Sequence, residues 1–341
     1  RGLNIHINNF TMRNIFEIKT EEDFEEACLS IFNYQYENID IYHQFVDYLN
    51  INPKKISKIT EIPFLPIEMF KHHTILDRNR QTDAYFQSSG TTNIQTLSRH
   101  WIADFELYQQ SILHCFQQFI GHPKDYIFLG LLPNYLERQN SSLIYMVDFL
   151  MNKSSQKENG YFLYNHPELL ELLKNLNNRK IILFGVSFAL LDFIDFCEAN
   201  GGFYSAQNSN LIIIETGGMK GRKEEMTKDE LLKILRNGFL TDKIYSEYSM
   251  TELLSQAYSL GNNIYQSPNW LRIMIRNLED PFSYVEKGKT GAVNIIDLAN
   301  KYSCSFIATQ DLGKSFDNHQ FQILGRIDHS DIRGCSLLVT K

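Results

Sequence analysis

The sequence predicts an α/β fold in which strands and helices alternate along the body and a β-rich segment closes the chain. Three observations point there. Short apolar runs such as "YIFLGLLP", "KIILFGV" and "NLIIIETGG" alternate with amphipathic stretches through the middle of the chain. After Glu252 the runs "LRIMIRN", "GAVNIIDLA", "SFIATQD" and "FQILGR" follow one another with turns and few helical stretches between them. The 341 residues are 43% hydrophobic and 21% charged, the balance of a folded globular chain, and 24 Phe with 18 Tyr supply a large core.

Charge and composition exclude several functions. A net charge of −7 and a pI of about 5.8, with Lys and Arg scattered, offer no field for nucleic acid. No apolar run is long enough to span a bilayer, and no signal peptide is visible. Cys28, Cys115, Cys197, Cys304 and Cys335 are odd in number, widely spaced and without a CxxC pair. That argues against a zinc site or a disulfide framework, and for a reduced, cytoplasmic protein. Four of the thiols are expected to be small buried hydrophobes.

The polar leader, residues 1–12, is set aside as an addition or a misassigned start. The rest is expected to be one domain, 13–341. It would have a helical N-terminal part (13–80), an α/β body (81–260) and a β-rich end (261–341). In "EEDFEEACLSIFNYQYE" the apolar residues Phe24, Ala27, Cys28, Ile31 and Phe32 make a helical stripe, and "IDIYHQFVDYL" continues it. Pro63 and Pro66 break "EIPFLPIEMFK" into an extended connector. "DFELYQQSILHCFQQF" reads as a helix opened by Asp104. "YIFLGLLP" is a strand, and "SSLIYMVDFLM" a helix capped by Ser141 or Ser142. "PELLELLKNL" has Pro167 in its first turn. "KIILFGV" is a buried strand, "SFALLDFIDFCEA" a helix stopped by "NGG", and "NLIIIETGG" a strand running into glycines. "TKDELLKIL" opens with a Thr227–Glu230 capping box.

The segment "YFQSSGTTNIQTLSRHW" clusters four hydroxyls, Ser88, Ser89, Thr91 and Thr92, around Gly90. Free backbone N–H groups and hydroxyls in such a loop can cradle phosphate oxygens. It is neither a Walker loop nor a GxGxxG turn, and a polar surface turn explains it as well when it stands alone. Four other stretches point the same way. "ETGGMKGR" places Gly217 and Gly218 after an apolar strand, where backbone can approach a flat ligand. "SEYSMTELLSQ" offers Tyr248, Thr251 and Glu252 at what reads as a strand-to-helix turn. "ATQDLG" puts Asp311 in a strand-end turn, where a carboxylate can accept from ribose hydroxyls. "LGRIDHSDIRG" has Arg326 after a strand and Asp328 two residues on. Each has an ordinary alternative: a helix-start charge, a turn former, a surface ion pair.

Their order in the chain resembles the adenylate-forming superfamily of acyl-CoA synthetases, luciferases and adenylation domains. Within it the chain looks like the acyl-protein synthetases of bacterial fatty-acid reductase complexes, the LuxE type. The resemblance runs over nearly the whole chain after Met12, through "FQSSGTT", "LLPNYLERQNSSLIYM", "LFGVSFALLDF", "ETGGMKGRKEE", "SEYSMTELLSQAYS", "NIIDLAN" with "CSFIATQDLG", and "GRIDHSDIRGC". It implies the large-domain fold of that superfamily without most of its C-terminal lid.

The resemblance also implies roles. Ser88, Ser89, Gly90, Thr91 and Thr92 would hold the β- and γ-phosphates of ATP. Gly217 and Gly218 would line the adenine pocket with Tyr248 stacking nearby. Thr251 would contact the α-phosphate and Glu252 would ligate Mg²⁺. Asp311, helped by Arg326, would bind the ribose, and Asp328 would sit at a hinge. Cys335, in "DIRGCSLLV", matches the cysteine that accepts the acyl group as a thioester. Adjacent Arg333 would favour its thiolate and Gly334 its movement. Read without the resemblance, "CSLLV" is equally a terminal strand with a buried thiol. Cys304 is the rival acceptor, in a context that suggests core.

Three features depart from the pattern. Asn93 stands where the phosphate loop usually continues with glycine, and no lysine follows. Ser249 replaces the glycine of Tyr-Gly-x-Thr-Glu. The lid that carries an adenylation lysine in larger members is missing, which fits the acyl-protein type, and Lys341 is not given that lysine's role.

The expectation is therefore ATP-dependent activation of a carboxylic acid, a fatty acid by preference, to acyl-AMP. Transfer would follow to Cys335 and on to a partner, an acyl reductase or an acyl carrier. Two alternatives stand beside it. One is a ligase, related to aryl-acid CoA ligases, that hands the acyl group directly to CoA or a carrier thiol. The other is a catalytically weak nucleotide-binding assembly subunit. Phe184, Phe188, Leu190 and Phe193 are read as core rather than substrate channel.

Overall fold

A computed structural model describes residues 12–89, 96–134, 136–217 and 226–327, with the side chains of 12–14 left out. Gly90, Thr91, Thr92, Gly218, Asp328 and Cys335 lie outside the described residues. In chain order the helices are α1 (Glu21–Asn38), α2 (Asp40–Tyr48), α3 (Met69–His72), α4 (Phe105–Phe119), α5 (Ser142–Ser154), α6 (His166–Asn175), α7 (Ser187–Ala199) and α8 (Lys228–Phe239). The strands are β1 (Leu65–Pro66), β2 (Tyr85–Gln87), β3 (Arg99–Trp101), β4 (Ile127–Leu131), β5 (Gly160–Tyr161), β6 (Ile181–Val186), β7 (Leu211–Thr216), β8 (Ile244–Tyr248), β9 (Ala257–Ser259), β10 (Tyr265–Gln266), β11 (Leu271–Arg276), β12 (Gly291–Asp297), β13 (Phe306–Ser315) and β14 (Gln320–Arg326). Among the described residues no helix is long and apolar enough to cross a membrane.

The chain forms two compact units. One comprises Phe86–Leu97 and Tyr108–Tyr265. Its sheet runs β5–β4–β6–β7–β8–β9, parallel except for β8 with β9. β4 is buried at all five positions, as expected of a strand covered on both faces. Ile127, Leu129, Leu131, Leu183 and Ile213 join Leu169, Leu190, Phe193, Leu231 and Leu235 in one apolar cluster, which packs α6, α7 and α8 on one face. On the other face Phe128 packs against Phe116 of α4, centroids 5.6 Å apart. Phe184, Leu190 and Phe193 are fully buried core residues, as expected, whereas Phe188 is only partly buried and packs against the apolar cluster.

The caps account for the helix starts. The Ser141 hydroxyl accepts from Ile144 N, and the Thr227–Glu230 box closes as expected. Pro167 sits in the first turn of α6 and Leu107 N donates to Asp104. The stretch 61–71 around Pro63 and Pro66 is less extended than expected, because α3 begins within it at Met69.

The other unit comprises the segments up to Tyr85, Ser98–Leu107 and the chain from Gln266. Here β11, β12, β13 and β14 form an antiparallel ladder, and β1 pairs with β13 in parallel. The α1 stripe of Phe24, Ala27, Cys28, Ile31 and Phe32 is buried, and Tyr42 stacks on Phe306 at 6.2 Å. Gln35 is buried in the same helix. Its amide donates to Asn300 O, Lys301 O and Ser305 Oγ and accepts from Ser305 N, so its burial leaves no polar atom unpaired.

Candidate active site

β6, β7 and β8 are neighbouring parallel strands, so their carboxyl ends open at one edge of the sheet. In open α/β sheets that edge is where ligands bind. Val186, Thr216 and Glu247 stand in register there, one per strand. Gly217 follows Thr216 with φ of +77°, a left-handed conformation that a residue with Cβ adopts only with strain. Tyr248 ends β8, with its ring 5.9 Å from that of Tyr265. Thr251 is half-buried and Glu252 is buried, 6% exposed.

The strand-to-helix turn expected at Tyr248–Glu252 is not what forms. The segment closes in a tight turn, with Leu253 N donating to Met250 O at 3.1 Å, and leads into β9. Every residue from Glu252 to Ser259 is buried, so "ELLSQAYS" has no solvent face for an amphipathic helix to present.

Two polar networks beneath these residues were not anticipated. Glu215, fully buried on β7, is ion-paired with Lys228 at the start of α8. Ser187, at the start of α7, donates to Glu215 Oε2 at 3.1 Å and to the Gly217 carbonyl at 3.3 Å. Successive residues of a strand point to opposite faces, so Thr216 and Glu247 belong to the other face. There the Thr216 hydroxyl donates to the Glu247 carboxylate. Burial pushes Glu247 up to about 7. Hydrogen bonds from Ser249 and Thr216 oppose that rise, Glu215 adds to it and Lys228 reduces it. Ser249, which stands in place of the glycine, is thus among the groups that hold the Glu247 value down. The signal for these networks lay in the charged residues themselves: Glu215 ends the run "LIIIE" and Glu247 interrupts "IYSEY".

Ser88 is half-buried and Ser89 exposed just past β2. Gln87 N donates to Asn140 O at 2.8 Å, and Phe86 packs edge-on against Tyr108 and Tyr145. The start of the hydroxyl loop is thereby anchored.

Asp311 and Arg326 belong to the other unit, where the structure brings them together. They are register partners on β13 and β14, with Arg326 Nε 3.7 Å from Asp311 Oδ1. Asp311 does not occupy a strand-end turn as expected. It lies inside the ten-residue strand β13, at an irregularity in the ladder.

Cys28, Cys115, Cys197 and Cys304 are all buried. Burial pushes the thiols of Cys197 and Cys304 up to about 12 and that of Cys28 higher. Cys304 donates to Phe306 O at 3.3 Å and is fully buried, the core position its sequence context suggests. Among the described residues no group of three His, Cys, Asp or Glu side chains could hold a metal ion.

No curated protein matches this sequence. Solved structures do resemble its fold. A 2-hydroxyisobutyryl-CoA ligase in an open conformation, bound to 2-HIB-AMP and CoA, aligns with a TM-score of 0.65 and 11% identity, over 92% of this chain and 72% of that one. The same ligase in its postadenylation state gives a TM-score of 0.65 and 10% identity, over 90% and 68%. An ATP-bound RpMatB-BxBclM chimera gives 0.54 and 12%, over 71% of this chain and 48% of that one. The fold is thus that of the adenylate-forming ligases, of whose chains it covers a part. The family profile described as acyl-protein synthetase, LuxE, matches residues 14–341, and the chain belongs to that family.

Proposed function

We propose that the protein activates a carboxylic acid, a fatty acid in our reading, with ATP and stores the acyl group on Cys335 before passing it on. Family membership over residues 14–341 carries this reading. The strand-end cluster of Gly217, Tyr248, Thr251 and Glu252 supports it.

A carboxylate is a poor electrophile until its oxygen is made a leaving group. In the first step a carboxylate oxygen bonds to the α-phosphorus and pyrophosphate departs with the electrons of the broken P–O bond. In the second, a thiolate sulfur bonds to the acyl carbon and AMP departs. The first step gathers negative charge, so fixed donors and cations around it lower the barrier. Ser88, Ser89, Gly90, Thr91 and Thr92 would bind the β- and γ-phosphates. Thr251 would donate to the α-phosphate. Gly217 and Gly218 would border the adenine, with Tyr248 beside it, and Asp311 with Arg326 would take the ribose. Glu252 suits Mg²⁺, because a carboxylate is a hard oxygen donor. Among the described residues it belongs to no group of three metal-ligating side chains, so the phosphates of ATP would have to contribute to holding the ion. Mg²⁺ supplies charge neutralisation on the phosphates.

A partner acyl reductase or acyl carrier would receive the acyl group from Cys335. The second reading is direct transfer to CoA or a carrier thiol, favoured by the fold shared with a ligase captured with CoA.

The test is acylation of purified protein by labelled fatty acids with ATP and Mg²⁺, wild type against Cys335→Ser. Hydroxylamine-sensitive label on the wild type alone supports storage on Cys335. Pyrophosphate release with no label on either protein supports the external thiol. Nucleotide binding with no pyrophosphate from any acid would leave only the assembly-subunit reading.

A further inference from the structure

β12 and β13 lose register beside Asp311. Ala292 pairs with Leu312, yet Asn294 pairs with Ala308, so Thr309, Gln310 and Asp311 together stand opposite Val293 alone. A bulge of this kind re-aims the side chains that follow it. It also takes backbone carbonyls out of the ladder, and these need other partners.

Arg276, the last residue of β11, supplies them. Its Nη2 donates to the Thr309 carbonyl at 2.7 Å. Its Nη1 donates to the Val293 carbonyl at 3.2 Å and to Asn294 Oδ1 at 2.7 Å. One planar guanidinium thus joins both sides of the bulge. Thr309 carries the linkage onward. Its hydroxyl donates to Val293 O at 2.8 Å and accepts from the Asp311 backbone N–H at 3.1 Å. Beyond Asp311, Ile327 N donates to Gln310 O at 2.7 Å. Arg326 fixes the carboxylate less firmly, since its side chain is 71% exposed and 3.7 Å away. Asp311, by contrast, is only 14% exposed.

We infer that Arg276 is a positioning residue for nucleotide binding: it holds the β12–β13 bulge in the shape that presents the Asp311 carboxylate. The inference rests on the proposed ribose role of Asp311. Lysine at 276 keeps the charge but has no planar fork to bridge the carbonyls.

The test compares the affinity of the full-length protein for ATP and for 2′,3′-dideoxy-ATP, which lacks both ribose hydroxyls. Arg276→Lys is expected to weaken ATP about tenfold, the scale of one hydrogen bond to a charged group, and to leave dideoxy-ATP nearly unchanged. Combined with Asp311→Asn, it is expected to add no further loss. Thr309→Val removes the hydroxyl that accepts from Asp311 N and is expected to act in the same direction, which keeps the test open should Arg276→Lys fold poorly. Equal weakening of both nucleotides, or effects that add to those of Asp311→Asn, would overturn the inference. If Asp311→Asn selectively weakens ATP while Arg276→Lys and Thr309→Val do not, the positioning role fails and the ribose reading stands. If Asp311→Asn itself leaves ATP binding intact, both fail.

Discussion

Thr216 and Glu247 stand opposite one another on parallel strands β7 and β8, and the Thr216 hydroxyl donates to the fully buried Glu247 carboxyl. The residues that follow them are Gly217 and Tyr248. The pair therefore couples two segments of the candidate nucleotide site, and the protonation of Glu247 bears on both.

That protonation makes the first prediction. Burial, the largest cause, pushes the Glu247 carboxyl up to about 7, against an ordinary value of 4.5. The folded state then binds more protons than the unfolded state between those values. Stability contributed by the group is present at low pH and falls as pH rises through that window, by up to about 3 kcal/mol, with no further loss above it. Glu247→Gln should remove this dependence and make the protein more stable than wild type at pH 8. Denaturant midpoints of both proteins between pH 5 and pH 8 measure it. Parallel curves would show that Glu247 is ionised throughout.

The second prediction concerns Lys228. Glu215 is fully buried, and removing its cation leaves a charge without its ion-pair partner. Lys228→Met should cost about 3 kcal/mol, the low end for breaking a buried pair, since Lys228 keeps 25% side-chain exposure. Adding Glu215→Gln should recover part of the loss. Urea denaturation of the two variants reads it. A double variant no more stable than Lys228→Met would mean that Glu215 is held mainly by Ser187.

Much of this architecture was legible because the rules behind it are local. The α1 stripe, the Thr227–Glu230 box and the Ser141 cap depend on residues within one or two helical turns. The alternation of α and β was legible for the same reason. Asp311 was misplaced because a bulge is a relation between strands: its origin lies in Val293 and Arg276, far back in the chain. The turn after Tyr248 was misread because "ELLSQ" has helix-compatible residues, and only tertiary burial on all sides decides against a helix. The Glu215–Lys228 pair joins residues thirteen apart on different elements, and no periodicity reports such a contact.

The third prediction separates the cysteines. Cys28, Cys115, Cys197 and Cys304 are buried, and for three of them burial raises the thiol far above neutrality. Iodoacetamide at pH 7.5 should therefore leave these four unmodified in the folded protein and modify them all in denaturant. Peptide mass spectrometry assigns the label. If Cys304 reacts at a rate comparable to Cys335 under native conditions, the acceptor role has to be reopened between them.

The fourth concerns Gly313, two residues beyond Asp311. A Cβ there would stand 2.7 Å from the Gln322 carbonyl and 2.9 Å from Val293 Cγ2. The first contact is with backbone in the neighbouring strand β14, so relief requires the β13–β14 ladder to spread. The second is with the residue at the centre of the bulge. Gly313→Ala should destabilise the protein by about 2 kcal/mol, the usual scale of overpacking. It should also weaken ATP more than 2′,3′-dideoxy-ATP, because the displaced strand carries Asp311. The Asp-x-Gly spacing of "DLG" would then have a physical basis: the carboxylate needs a bulge, and the bulge needs a residue without a side chain one pair into the resumed ladder, where Gly313 faces Gly291. A variant that loses stability yet binds both nucleotides as wild type does would confine Gly313 to packing.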